Sequence, residues 1–167
     1  MRKVVLIGSG GSGKSTLARQ LGERLGITVY HLDALFWKPN WVPASKDEQK
    51  DVQLDLVEKE EWIIDGNYSG TMDIRLHAAD TIIFLDIHRV ICVYRAFKRI
   101  IQYRNHTRPD MGEGCQEKFD LDFFKWIWNY PRTKRPGILK KLEELSQAKR
   151  VIILKSTKEV ELFLESI

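Results

Sequence analysis

The sequence predicts an α/β fold built on a parallel sheet, and three observations carry that prediction. The run Lys3-Val4-Val5-Leu6-Ile7 is apolar and β-branched, and it passes straight into a glycine-rich turn and then a helix-forming segment. A second extended run, Thr28–Leu32, follows that helix after Gly26, which makes a β-α-β unit and hence parallel strands. Further short apolar runs then alternate with helical patterns, as expected of a sheet covered on both faces.

The elements follow in order. Leu17, Leu21 and Leu25 recur at helical spacing, and Gly26 closes the first helix. Thr28–Leu32 is the second strand, with Asp33 at its carboxyl end, the edge of an open α/β sheet where ligands bind. Residues 34–43 hold Phe36, Trp37 and Trp41 among two prolines and read as an irregular loop, its aromatics either stacking on a ligand or packed beneath the loop. Ser45 and Glu48 form an S-x-x-E capping box, so a helix starts there and runs to about Glu60, its face largely solvated. Trp62–Ile64 is a short buried strand closing on Asp65, and a loop or short helix carrying Arg75 follows. Thr81–Leu85 is the next strand, ending at Asp86. From Arg89 to Tyr103, Val90, Val93, Tyr94, Phe97 and Ile101 follow helical spacing, and Arg95 and Arg99 share one side of that helix. Residues 105–120 carry Arg108, Pro109, Gly112 and Gly114 with little periodicity, a length that in a compact domain is usually functional or mobile. The hydrophobic segment Leu121–Tyr130 is read as a helix stopped by Pro131, followed by the basic cluster Arg132, Lys134 and Arg135. Leu139, Leu142 and Leu145 mark another helix, Val151–Leu154 a fifth strand, and Ser156 with Glu159 a second capping box opening the last helix.

Length and composition bound the rest. A chain of 167 residues suits one domain with a full core. The net charge of +4 suits a phosphate-rich ligand, nucleic acid or plain solubility alike. Cys92 and Cys115 lie far apart, so neither a disulfide framework nor a four-cysteine zinc site is available, and a reducing cytoplasm fits best. No apolar run reaches the length of a membrane span, and Val4–Ile7 is too short for a signal-peptide core.

The chemistry concentrates in the first turn. Gly8-Ser9-Gly10-Gly11-Ser12-Gly13-Lys14-Ser15-Thr16 matches G-x-x-x-x-G-K-S/T, with Gly8, Gly13, Lys14 and Ser15 in the fixed places. Glycines let successive N–H groups converge on an anion, and the helix that follows adds its unpaired N–H groups and positive dipole end. Lys14 reaches the β- and γ-phosphates of a nucleoside triphosphate such as ATP, and the Ser15 hydroxyl is placed for Mg²⁺. Asp65, at the end of a hydrophobic strand, is the expected second carboxylate, holding Mg²⁺ directly or through water. Gly10, Gly11, Ser12 and Thr16 complete the phosphate cradle.

With these features placed, the chain resembles the nucleoside monophosphate kinases of the adenylate kinase type, and more closely the bacterial DNA topology modulation proteins. The closer match rests on His31-Leu32-Asp33, Trp62-Ile63-Ile64-Asp65-Gly66-Asn67-Tyr68, Arg108-Pro109-Asp110-Met111, Lys118-Phe119-Asp120 and Lys125-Trp126-Ile127-Trp128. The resemblance implies a three-layer αβα P-loop fold with a five-stranded parallel sheet and a helical lid, here about 104–135, whose arginines close over phosphates. Adenylate kinases read Asp-Gly-Phe-Pro-Arg after the third strand, the arginine meeting the monophosphate. This chain reads Asp65-Gly66-Asn67-Tyr68-Ser69, leaving Arg75 as a substitute at a different offset. Asp33 looks more like the acid of shikimate- and gluconate-type kinases, which meets an acceptor hydroxyl.

The leading expectation is therefore phosphoryl transfer from Mg-ATP to a small acceptor, a nucleotide or a hydroxyl metabolite. Lys14, Asp33, Arg95 or Arg99, Arg132 and Arg135 are the candidate catalytic and clamp residues, with Arg108 as a lid cation on the nucleotide. Asp33 is the base for an alcohol acceptor or a positioning residue for a phosphate acceptor. The rival expectation is a nucleotide-dependent regulator that binds DNA and modulates its topology, and a third is a binding module with vestigial hydrolysis. The expected partners are a nucleoside triphosphate and a small acceptor, with nucleic acid under the rival reading and no membrane.

Overall fold

The computed structural model describes residues 1–104 and 106–167. Asn105, the first residue of the aperiodic 105–120 stretch, lies outside the described residues. The central sheet has five parallel strands in the order β2-β5-β1-β6-β7: β1 Lys3–Gly8, β2 Val29–His31, β5 Trp62–Asp65, β6 Thr81–Leu85 and β7 Arg150–Leu154. Strand β1 is central, so Val4–Ile7 are fully buried on both faces, which is why the run is uniformly apolar rather than alternating. Val4 and Leu6 pack with Leu17, Ala18 and Leu21 of α1 (Lys14–Leu25) and with Phe163 and Leu164 of α8 (Thr157–Glu165). Val5 and Ile7 pack on the opposite face with Leu76 of α4 (Met72–Ala78) and Leu142 of α7 (Arg135–Leu145). The expected three-layer αβα architecture is thus present.

The local signals are realised where chemistry is local. Gly26 caps α1 at a φ of 68° with its N–H on the Gly22 carbonyl. The Ser45–Glu48 box closes reciprocally at 3.2 and 2.7 Å on α3 (Lys46–Glu58), whose Gln53 and Leu56 are buried. Donation from Lys38 and from the Ser45 backbone holds the Glu48 carboxyl at about 2.

Three expectations are corrected. The second strand is only Val29–His31, and Leu32–Phe36 form the short helix α2, so Asp33 sits in its first turn rather than at a strand end. Residues 37–43 are not an irregular loop but a small hairpin, β3 (Trp37–Lys38) against β4 (Val42–Pro43), joined by a 3-10 turn at Pro39–Trp41. Helix α6 (Leu121–Thr133) continues past Pro131, because a proline so near the end forfeits only one late backbone bond. In helix α5 (Arg89–Gln102), Val90, Tyr94, Phe97 and Ile101 face outward, 52, 64, 51 and 64% exposed, while Val93 packs on the core beside the buried Cys92 and Ala96. Small side chains there let α5 approach the glycine loop, and the rotation aims Arg95 and Arg99 inward. Both cysteines are buried free thiols.

The hairpin is docked on the 112–118 segment. A Cβ on Gly112 would lie 1.9 Å from the Trp37 carbonyl oxygen. The Asn40 N–H donates to the Gly114 carbonyl at 3.3 Å, Trp41 Nε1 to the Gln116 carbonyl at 3.1 Å, and Cys115 Sγ to the Lys38 carbonyl at 3.1 Å. Trp41 itself takes a φ of 61°, costly for a bulky residue and maintained by these bonds. Gly112→Ala must push the hairpin off the segment and is expected to lower unfolding free energy by about 1–3 kcal/mol, read from a urea melt with an unchanged slope.

Candidate functional site

Sheet order sets the site. Strand β1 ends in the glycine loop, flanked by the carboxyl ends of β5 and β6, so Gly8, Asp65 and Leu85 open on one edge. The loop is clamped: a Cβ on Gly8 would meet the Leu85 carbonyl at 2.7 Å, and one on Gly11, whose φ is +73°, would meet the Cys92 carbonyl at 2.2 Å. Helix α1 starts at Lys14 with no capping side chain and no acid in its first turn, which leaves its N-terminal N–H groups open to an anion. Lys14 Nζ donates to the Ser9 carbonyl at 3.1 Å, and the Ser9 and Ser12 hydroxyls are buried without partners.

These groups open into a cleft of about 770 Å³, within the range of ligand sites. One half is formed by Gly10, Gly11, Gly13–Thr16, Arg19 and Arg95. Arg95 Nη1 reaches the Ser12 carbonyl at 3.2 Å and Nη2 the Thr157 hydroxyl at 2.8 Å, tying α5 to the phosphate cradle. The other half holds Asp33, Trp37, Trp41, Tyr68, Arg99, Arg108, Asp110 and Glu117. Tyr68 donates its hydroxyl to Asp33 Oδ1 at 2.8 Å. Burial raises the Asp33 pKa above 3.8, opposed by Lys14 and the Tyr68 hydrogen bond, with the Asp65 charge adding to the rise. Burial and the Asp33 charge push the Tyr68 phenol up in turn, so it stays a donor.

Asp65 is buried, with Oδ2 2.9 Å from His31 Nδ1 and Oδ1 without a partner. An orphaned carboxylate oxygen is hard-oxygen chemistry that fits Mg²⁺, as is the Ser15 hydroxyl that lines the cleft. Among the described residues no group of three or more His, Cys, Asp or Glu side chains gathers to hold a metal alone. Ser15 and Asp65 therefore offer a partial shell, of the kind completed by substrate phosphates and water.

Arg75 is fully buried and donates to the Gly66 and Asn67 carbonyls, both at 2.8 Å, and to Gln53 Oε1 at 2.7 Å. Burial lowers its pKa to about 10, partly offset by Asp65, so it remains a cation that braces the loop after β5 from below. It does not line the cleft, and the suggestion that it replaces a phosphate-binding arginine is not supported by its position. The braced loop returns a contact to the cradle, Asn67 Oδ1 accepting from the Gly8 N–H at 3.2 Å.

Of the sequence-derived residues, the structure gathers Lys14, Ser15, Thr16, Asp33, Arg95, Arg99 and Arg108 around one cleft. Arg132 and Arg135 stay outside it. Arg132 is exposed, and Arg135 forms a two-pronged pair with Asp86 at 2.7 and 2.8 Å, which raises its own pKa. The residues that sequence reasoning left without a role are His31, Asn67, Asp110 and Glu117, whereas Tyr68, with Trp37 and Trp41, lines the cleft as an acceptor-pocket aromatic would. Asp110 is held below the usual carboxylate range, burial being outweighed by Arg108 and the Ser15 hydroxyl.

The chain shares its fold, a glycine loop on a five-stranded parallel sheet, with solved small-molecule kinases. A shikimate kinase from Acinetobacter baumannii, solved with shikimate, superposes with a TM-score of 0.63 over 99% of this chain and 90% of its own, at 13% identity. A shikimate kinase from Bacteroides thetaiotaomicron gives 0.56 over 98 and 94% at 16% identity, and a gluconokinase from Sinorhizobium meliloti 1021 gives 0.51 over 99 and 92% at 15%. No family model and no curated protein matches the sequence. Among the described residues no helix is long and apolar enough to cross a membrane.

The Tyr68–Asp33 bond gives a direct test of the electrostatics. Tyr68→Phe removes a donor that favours the carboxylate, so the Asp33 titration followed by carbon-13 NMR is expected to move to higher pH.

Proposed function

We propose that this protein is a Mg-ATP-dependent phosphotransferase acting on a hydroxyl of a small acceptor. The observation that carries the reading is that the phosphate cradle and an Asp33 carboxylate fixed by Tyr68 face each other across one cleft. Kinase-type structural neighbours support the class and leave the acceptor open.

In this reading Lys14 and the loop N–H groups hold the β- and γ-phosphates, and Arg95 keeps α5 against the cradle. Mg²⁺, held by Ser15 and Asp65, would neutralise charge on the phosphate oxygens. Asp33 orients the acceptor hydroxyl and takes its proton as the acceptor oxygen bonds to the γ-phosphorus and the bridging oxygen leaves with ADP. Tyr68 and, beneath it, Arg75 act as positioning residues. The 106–120 segment, joined to the hairpin, roofs the acceptor half in the role the sequence suggests for a lid. The DNA-binding rival draws less support, because Arg95 and Arg99 point into the cleft while the outward side of α5 is largely apolar.

Incubation with labelled ATP, Mg²⁺ and a panel of small alcohols and nucleotides is expected to yield a labelled acceptor. Lys14→Ala should reduce transfer about 100-fold or more, and Asp33→Asn should reduce kcat by about 10²–10⁴-fold. Transfer at full rate by the Lys14→Ala protein, or no calorimetric binding of Mg-ATP, would refute the assignment. The active form of Asp33 is ionised and its pKa is raised, so kcat should fall with acid at a pH above the ordinary 3.8.

A further inference from the structure

The two halves of the cleft differ in how their cations are committed. In the acceptor half Arg108 is nearly buried, its Nη1 3.2 Å from Asp110 Oδ2 and its Nε against Glu117 Oε1. Arg99 Nε lies 3.1 Å from that same Glu117 oxygen, on a carboxylate whose side chain is only 5% exposed. Arg108 is therefore held by two recessed carboxylates, Arg99 shares one of them through its Nε, and with Asp33 these groups sum to one negative charge. Arg75 does not restore the balance, being turned beneath the loop toward backbone carbonyls. Lys118 is exposed at the rim, 5.3 Å from the Trp41 ring centroid.

What this half offers instead is aromatic and hydrogen-bonding surface. Trp37 and Trp41 meet edge to face at 5.6 Å, Tyr68 stands against Phe36 at 4.9 Å, and Asp33 projects among them. Flat or ring-shaped molecules bind such walls by stacking, and hydroxyls bind the carboxylate. An anionic head would gain attraction only by pulling a recessed arginine off its carboxylate, leaving that carboxylate desolvated and alone. It would also meet the Asp33 carboxylate, which neither arginine pairs with, so discrimination comes by repulsion rather than by added contacts.

We infer, resting on the phosphotransferase reading above, that the acceptor is an electrically neutral ring-bearing hydroxyl compound. On this inference Glu117 and Asp110 are the specificity-determining residues, excluding phosphorylated or carboxylated counterparts by occupying Arg99 and Arg108. The class covers neutral sugars and nucleosides, which share an uncharged ring with free hydroxyls.

The test is calorimetry on the full chain with the nucleotide site saturated by Mg-ADP, titrating the matched pairs glucose with gluconate and adenosine with adenosine monophosphate. The neutral member of at least one pair is expected to bind 10-fold or more tightly than its anionic counterpart, and the pair that responds distinguishes sugar from nucleoside. Glu117→Gln leaves two guanidiniums with one carboxylate and should narrow that ratio at least threefold. Asp110→Asn, checked for a native melt, should act in the same direction, while the wild-type ratio is informative without either variant. Equal or tighter binding of the anions, no binding by either member of both pairs, or an unchanged ratio in a folded Glu117→Gln protein would overturn the inference. Failure of Mg-ADP itself to bind would strike the phosphotransferase reading and take this inference with it, whereas anion preference in a protein that binds Mg-ADP strikes the inference alone.

Discussion

The structure depends on backbone running against backbone at the glycine loop. For N–H groups to converge on an anion, the loop must curl tightly, and here β6 and α5 press on it from either side. Gly8 lies under the Leu85 carbonyl and Gly11 under the Cys92 carbonyl, at separations that leave no room for a side chain. Such contacts set the position of α5 as firmly as side-chain packing does. They explain why its core-facing residues are Cys92 and Ala96 rather than the larger apolar residues the helix also carries. The cost is an apolar outward face; the gain is that Arg95 and Arg99 arrive in the cleft.

The acceptor side is organised by a buried cation. Desolvating a guanidinium costs several kcal/mol unless its donors are satisfied, and Arg75 meets most of that demand with two carbonyls of the 66–67 loop and Gln53 of α3, although its buried Nε has no partner. The loop is thereby fixed relative to α3 and α4, and its next residue, Tyr68, presents a hydroxyl to Asp33. The bond between Asn67 and the Gly8 N–H links this assembly to the phosphate cradle. A chain of short polar contacts therefore runs from Arg75 through the loop to both halves of the cleft.

Legibility in the sequence followed the range of the interaction. The strand, glycine loop and helix at the start, the Ser45–Glu48 capping box, the Ser156 cap and the buried strands are written in residues a few positions apart, and the structure has them where expected, although Glu159 accepts from the Lys155 N–H and does not close the second box. The hairpin at 37–43 was missed because its two-residue strands have no periodicity, and its stability comes from the 112–118 segment far along the chain. Helical spacing in α5 identified a helix correctly, but it cannot say whether an apolar stripe faces a core or a cleft claims the opposite side. The partners of Arg135 and Asp33 lie 49 and 35 residues away. Basic residues near a site motif therefore read alike in sequence whether they serve a ligand or, like Arg135, a structural carboxylate.

The asymmetry of charge across the cleft bears on how two substrates are kept apart. Lys14 and Arg95 on the cradle side rest on carbonyl and hydroxyl oxygens, neutral partners that a phosphate outcompetes easily. Arg99 and Arg108 across the cleft rest on carboxylates, which a phosphate displaces only at the cost of stranding another charge. On the proposed function, the same type of side chain is thus available in one half and withheld in the other, which would draw a triphosphate to the cradle. On that function, misplaced binding of a second nucleotide across the acceptor walls would be opposed by the Asp33 carboxylate, which no arginine pairs with, so the cleft would sort its ligands by charge before reading their shape.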